Sequence, residues 1–259
     1  MYLTTINADS FSDSYFNAEK HNNVQCVWHI HNNFELVFVY SGQLIMNVNG
    51  CDRILTAGQA TLMMPFDRHS FFTPKESKCI VVEFSPGLVE EFYEKVRNKM
   101  PSEDVFYIDG RVVEFCESFL SGGQADLLSN KAVLYPLCNE VLKNCDFEDG
   151  RREVEGAFIE AVKYIADNFS NEELALTDVA SAIGVHHVYL SRVFARNAGM
   201  NFKSYLALLR CNGAAKLLKK DKQRTVSEIA YQVGFGSIRN FNRQFLEIFG
   251  VSPIKYRES

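Results

Sequence analysis

The chain has 259 residues, 47% of them hydrophobic and 23% charged, with 15 glycines and 6 prolines. That composition can bury a substantial core and excludes a disordered or collagen-like chain, and the length exceeds one ordinary domain of about 100–150 residues, so two domains are expected. The net charge of −5 hides an asymmetry: residues 1–150 hold 11 Lys and Arg against 21 Asp and Glu, whereas 184–257 hold 13 against 3, the clustering that neutralising phosphates requires.

The seven cysteines (Cys26, Cys51, Cys79, Cys116, Cys138, Cys145 and Cys211) are odd in number, scattered and without a CxxC pair, and read as reduced thiols, mostly in the core, of a cytoplasmic protein. The N-terminal stretch has no basic region followed by an apolar run, and nowhere do 18 apolar residues follow one another. Neither export nor membrane spanning is expected.

In chain order, residues 24–84 alternate with period two between turn residues, the mark of short antiparallel strands in a sandwich or small barrel. Phe34–Tyr40 is an apolar strand. Asn49-Gly50 accepts positive φ at both turn positions and predicts a hairpin of 44–48 with 51–56. Gly58, Pro65 and Thr73-Pro74 mark further turns, and Cys79–Phe84 closes the series. After Pro86 the period becomes 3.6. Helices are expected from Leu88 to Asn98, around Val112, Phe115 and Phe119, and, after a break at Ser121-Gly122-Gly123, along a stripe of Leu127, Leu134, Leu137, Cys138, Val141 and Leu142, interrupted or kinked near Pro136. That stripe packs either on the chain's own barrel or across a homodimer seam.

The last hundred residues contain one pattern twice. Val179, Ala180, Gly184, Val185, Leu190, Arg192, Phe194, Gly199 and Tyr205 recur as Ile229, Ala230, Gly234, Phe235, Phe241, Arg243, Phe245, Gly250 and Tyr256, offset by 50 through Val185 and by 51 from Leu190 on. Each copy fits a helix-turn-helix: a small Ala for close crossing, a Gly for the left-handed turn and a large apolar anchor beyond it. Thr225 to Glu228 has capping-box spacing and Ser237 suits an N-cap. Phe202, Leu206, Leu209, Ala214 and Leu217 mark a long connecting helix, in which Gly213 costs about 1 kcal/mol relative to Ala.

The stretches TVSEIAYQVGFG (225–236), NFNRQF (240–245) and FGVSPIKYR (249–257), with VYLSRVFAR (188–196) and GMNFKSY (199–205) in the first copy, resemble the AraC/XylS family of bacterial transcription regulators over about residues 155–257. The resemblance implies that the helices beginning near His187 and Ser237 enter adjacent major grooves. The residues it places at the DNA are His187, Val188, Ser191, Arg192 and Arg196, then Ser237, Ile238, Arg239, Asn240, Asn242 and Arg243. Arg pairs bidentately with guanine and Asn with adenine, and Val188 can meet a thymine methyl. Arg196, Lys203 and Arg210 suit phosphates or structural ion pairs. Leu190, Phe194, Phe241 and Phe245 belong to the core. His186-His187 stands where the family has a Ser/Thr-Pro-like start, which leaves that helix less well capped.

The sequence HIHNNFE (29–35), Gly42 and then PFDRH (65–69) resemble the two motifs of cupins, the barrel that often forms the sensor half of this family; PFDRH is one residue shorter than the enzyme-type spacing. Residues 29, 31 and 35 share parity on an extended strand, so His29, His31 and Glu35 can converge with His69. They are the candidate effector-binding residues. No cofactor is expected, the lesser reading being a divalent Zn, Fe, Mn or Ni ion on the same four groups.

The expected fold is therefore α+β: a cupin-like antiparallel barrel (1–86), a helical linker or dimerisation segment (87–150), and an all-α double helix-turn-helix domain (151–259). The expected function is a regulator, more readily an activator, of transcription, controlled by a sugar or related metabolite. Its expected partners are double-stranded DNA, the effector, RNA polymerase and a second copy. With no phosphate loop, nucleophile elbow or HExxH in the chain, an enzyme is not expected; the alternative is a metal-dependent cupin enzyme fused to a DNA-binding module.

Overall fold

The structure, a computed structural model, describes residues 2–3, 13–120, 126–150 and 154–258. It divides near residue 154 into two compact units.

The first unit is built on strands β1 (Tyr2–Leu3), β2 (Phe16–Asn22), β3 (Gln25–His29), β4 (Phe34–Val48), β5 (Cys51–Thr56), β6 (Gln59–Met63), β7 (His69–Phe72), β8 (Ser77–Phe84) and β10 (Phe106–Tyr107). The strand series thus starts earlier than residue 24. β4 organises the fold. Its first half pairs with β6 and β8 and its second half with β5 and β7, with a register shift between Val39 and Ser41. One strand therefore serves two sheets, which closes the array on itself. Between β4 and β5, Asn49 (φ 53°) and Gly50 (φ 93°) form the expected turn, with Val48 opposite Cys51.

Helices α1 (Glu90–Val96), α2 (Gly110–Leu120) and α3 (Leu127–Asn144) cover the outside of one sheet. Phe34, Leu36, Phe38, Ile80, Val82 and Phe84 share one core with Val113, Cys116, Leu134, Leu137, Cys138 and Val141. The alternate residues of the same strands, Glu35, Val37 and Val39 on β4 and Cys79, Val81 and Glu83 on β8, are buried on the other face. Burial on both faces explains why both strands read as continuous apolar runs. It also places α1, α2 and α3 in the first unit. Two helical details differ from expectation. α2 buries Val113 and Cys116 while Phe115 stays 42% exposed, and α3 runs unbroken through Pro136 with Leu127 exposed. The expected break at 121–123 and the side chain of Phe119 lie outside the described residues. A short pair, β9 (Lys99–Pro101) with β11 (Phe147–Asp149), brings the end of this unit's chain beside the segment after α1.

The second unit is all helix: α4 (Gly156–Asn168), α5 (Leu176–Ala182), α6 (His187–Ala198), α7 (Phe202–Lys220), α8 (Val226–Gln232), α9 (Ile238–Phe249) and α10 (Pro253–Glu258). The repeat read in the sequence is a repeat in space. α5 and α8 have 7 residues each, α6 and α9 have 12. In both turns the residue after the glycine donates to the small alanine of the preceding helix, Val185 to Ala180 at 2.9 Å and Phe235 to Ala230 at 3.0 Å. Both second helices end on a left-handed glycine, Gly199 and Gly250. Each unit closes with the same aromatic pair: Tyr205 against Phe194 (5.1 Å) and Tyr256 against Phe245 (5.4 Å).

Two departures read from the sequence have structural reasons. The ring of His186 accepts from Val188 N–H (3.3 Å through Nδ1), so α6 does carry an N-cap. Gly213 lies where a Cβ would stand 3.3 Å from the Phe169 ring and 3.5 Å from Val233. Its missing side chain lets α7 sit close to both.

Candidate nucleic-acid interface and barrel site

The two second helices present matched faces. On α6, His187, Val188, Ser191, Arg192 and Arg196 are exposed, and on α9, Ser237, Arg239, Asn240, Asn242 and Arg243 are exposed, with Ile238 half-buried. Leu190, Phe194, Phe241 and Phe245 are fully buried, as expected of core. Arg192 and Arg243 occupy equivalent places in the repeat. Ser237 Oγ accepts from Asn240 N–H (3.3 Å) and starts α9. The guanidinium of Arg243 donates to Asn240 Oδ1 (3.0 Å), so two groups able to read a base edge are already joined side by side. Arg196 pairs with Glu155 (2.9 Å), which also accepts from the Tyr189 hydroxyl (3.3 Å). Arg210 donates to the carbonyls of Phe169 (2.8 Å) and Asn171 (2.7 Å), a structural role rather than a phosphate contact. α7 is anchored to the helices of both copies. At 1.5 Å per residue its 19 residues span about 28 Å, somewhat less than one turn of duplex DNA, about 34 Å.

Inside the barrel, His29, His31, Glu35 and His69 converge, with one donor atom from each lying within 4.8 Å of the others, and all four are buried. Shared parity on one strand is not how they meet. His29 ends β3, His31 lies in the connection before β4, and only Glu35 is on β4 itself. His69 is brought in by β7, where it is the register partner of His29. Glu35 Oε2 is the focus, at 3.1 Å from His31 Nε2, 3.4 Å from His69 Nε2 and 3.8 Å from His29 Nε2. Burial alone would raise the Glu35 pKa, but the neighbouring histidine rings, His69 first, hold it well below the usual carboxylate range. Burial and the neighbouring rings push His69 down to about 4.

A second carboxylate was not anticipated. Glu83 is the cross-strand partner of Glu35, is 3% exposed, and accepts from Asn33 Nδ2 at 2.8 Å. Its pKa is raised, first by burial and further by the charge on Glu35. The two carboxylates are thus shifted in opposite directions. The available signal was an acidic residue inside each of two apolar strands, Glu35 after Phe34 and Glu83 before Phe84. The metal that the cupin resemblance implies has a suitable donor set: besides the convergence, His29 Nε2 and Glu35 Oε1 are buried without a hydrogen-bond partner among the described residues.

Comparison with known proteins agrees with both halves. A helix-turn-helix domain profile matches residues 179–259 and a cupin domain profile matches residues 20–85. The HTH-type transcriptional activator RhaS of Salmonella arizonae is 24% identical over 245 residues, covering 89% of this chain and 87% of its own. ToxT of Vibrio cholerae superposes with a TM-score of 0.68 at 12% identity over 94% of this chain and 98% of its own, and a form of ToxT bound to an unsaturated fatty acid with 0.64 at 12% over 93% and 94%. A cupin domain followed by a helix-turn-helix domain is consistent with a DNA-binding transcription regulator. The chain thus resembles HTH-type transcription regulators in both its halves. No helix among the described residues is long and apolar enough to cross a membrane.

Proposed function

We propose that this chain acts as a homodimeric transcription activator in which a small polar metabolite in the barrel alters how α6 and α9 are offered to the operator and to RNA polymerase. The observation that carries the reading is the equivalence of the two reading faces, with Arg192 and Arg243 exposed at matched positions of helices of equal length. Arg192, Asn240, Asn242 and Arg243 contact base edges, Val188 a thymine methyl, and His187, Ser191, Ser237 and Arg239 the flanking backbone or bases. Ile238 adds an apolar contact at the start of α9. Arg196 serves through its pair with Glu155.

The barrel lining favours a hydroxyl-rich ligand such as a sugar over an aliphatic one. His29, His31, Glu35, His69 and Glu83 supply donors and acceptors that an alkyl chain would leave unpaired. RhaS, a transcriptional activator by name, supports the sign of regulation. The effector must bind one arrangement of the protein more tightly than the other, since equal affinity would shift nothing. A metal on the same cluster would be held by His29, His31, Glu35 and His69 and would supply positive charge where a ligand oxygen could bind.

The test is operator binding by Arg192→Ala and Arg243→Ala. Each is expected to weaken specific binding by about 1–3 kcal/mol and relax preference at one base position. Unchanged affinity in both variants would remove these residues from the interface.

A further inference from the structure

Two reading helices in one chain must be held at a fixed angle as well as a fixed distance. The shared helix α7 sets the distance, but it carries Gly213 in its interior, the residue type that stiffens a helix least apart from proline. A second tie joins the two copies. It is the connector that follows Phe169, the residue that ends α4. Arg210 of α7 donates through Nε to the Phe169 carbonyl (2.8 Å) and through one terminal nitrogen to those of Asn171 (2.7 Å) and Glu172 (3.4 Å). The same guanidinium lies over the ring of Phe235, 5.9 Å from its centroid, in the turn between α8 and α9.

Three glycines make room for this connector. At Gly213 a Cβ would stand 3.3 Å from the Phe169 ring, at Gly234 it would meet the Phe169 and Ser170 carbonyl oxygens, and at Gly236 it would overlap the Glu172 carboxylate. The connector is itself tightly turned: Asn171 N–H donates to the Asn168 carbonyl (3.0 Å), Leu174 N–H to that of Asn171 (3.1 Å) and Glu173 N–H to Asn171 Oδ1 (3.1 Å). The repeat has no matching contact on its other side. Around Gly184, in the first turn, the space for a Cβ is open. The equivalent connector, 221–224, closes on itself, Asp221 Oδ1 accepting from the N–H groups of Gln223 (3.0 Å) and Arg224 (3.2 Å).

We infer that the connector 169–172 and Arg210 brace the second turn against the first copy and so set the twist between α6 and α9, which determines the spacing of half-sites that the chain accepts. These are specificity-determining positions that touch no base. The inference rests on the two-groove reading of α6 and α9. One base pair of spacing turns the second half-site by about 35° around the duplex and moves it about 3.4 Å along it. Units joined by α7 alone follow that change by flexing at Gly213, and braced units do not.

The experiment uses duplexes selected from random DNA by the full-length protein, remade with the two conserved blocks one base pair closer or farther apart. The readout is the ratio of affinities of one preparation for the selected and altered spacings, from which a misfolded fraction cancels. The parent should lose at least about 10-fold for either change, the size of a lost set of base contacts. Arg210→Ala should reduce that loss to within about threefold, with the preferred bases inside each block unchanged. Gly213→Leu keeps Arg210 and adds a good helix former but drives a side chain against Phe169, and should relax the spacing in the same way. Should Arg210→Ala yield no folded protein, Gly213→Leu decides alone. Gly184→Ala, which strains the first turn without touching the brace, should keep the parent's ratio. A strict parent with an equally strict Arg210→Ala would overturn the brace and leave the two-groove reading standing. Relaxation in Gly184→Ala equal to that in Arg210→Ala would also overturn it, because lost stability alone would then suffice. A parent indifferent to spacing would remove the two-groove reading and the inference with it.

Discussion

Arg210 and Arg192 have the same side chain and opposite uses. Arg210 reaches back to the carbonyls of Phe169 and Asn171 just beyond α4, where the end of a helix leaves acceptors unsatisfied. Arg210→Ala should therefore cost about 1.5–3 kcal/mol in the stability of the second unit, read by urea unfolding, with base preference unchanged. Arg192→Ala should do the reverse. Sequence spacing alone left Arg210 between a phosphate contact and an ion pair, because the carbonyls it binds are some 40 positions away in the chain. In the first unit, burial holds the pKa of His21 below its ordinary 6.5, outweighing the nearby carboxylates of Glu19 and Glu35. The folded protein then keeps this ring neutral while the unfolded chain protonates it, so its contribution to stability is present above pH 6.5 and is lost as the pH falls below it. His21→Gln should flatten the decline between pH 7 and pH 5.5, checked by denaturant midpoints at the two values. An unchanged slope would exclude His21 as a source of that decline.

Among the elements, the two helix-turn-helix turns share an Ala and a left-handed Gly and differ in what surrounds the Gly. Gly184 (φ +71°) has nothing within 4 Å of a Cβ position, whereas at Gly234 (φ +90°) a Cβ would meet the Phe169 and Ser170 carbonyl oxygens at 2.8 Å. Gly184→Ala should cost only the left-handed penalty, about 1–2 kcal/mol. Gly234→Ala should cost clearly more, because backbone must move; equal melting-temperature losses would contradict this. At the start of α8, Thr225 and Glu228 cap one another, Thr225 N–H to Glu228 Oε2 at 2.7 Å and Glu228 N–H to Thr225 Oγ1 at 3.2 Å, and Thr225→Ala should lose about 1 kcal/mol by the same measurement. These elements were legible because local chemistry sets them: a turn dipeptide at 49–50, a capping box at 225–228 and a period of 3.6 in the helices. The inner face of the barrel was less legible. Period two identifies which residues share a face, but in β4 and β8 both faces are buried, and the pairing of Glu35 with Glu83 depends on a register 48 residues apart. His186 was misjudged for a simpler reason, since a ring nitrogen can cap a helix but rarely does.

For the molecule as a whole, the division into an acidic first part and a basic last part, visible in the charge count, coincides with the two compact units. The extent of the first unit was not visible. Helices α1 to α3 read as a linker because their apolar stripes could have been covered by this chain or by a second one, and only the structure shows Leu134, Leu137 and Val141 against Phe34, Leu36 and Val82. A basic reading unit predicts affinity that falls steeply with salt, log K against log salt having a slope of about −0.9 for each phosphate neutralised. The central claim is that α6 and α9 of one chain read two successive major grooves, and selection of bound duplexes from random DNA by the full-length protein tests it most directly. The selected sequences should contain two short conserved blocks about 10–10.5 base pairs apart, centre to centre, and inserting 5 base pairs between them should abolish specific binding. A single conserved block, or binding indifferent to that insertion, would contradict it.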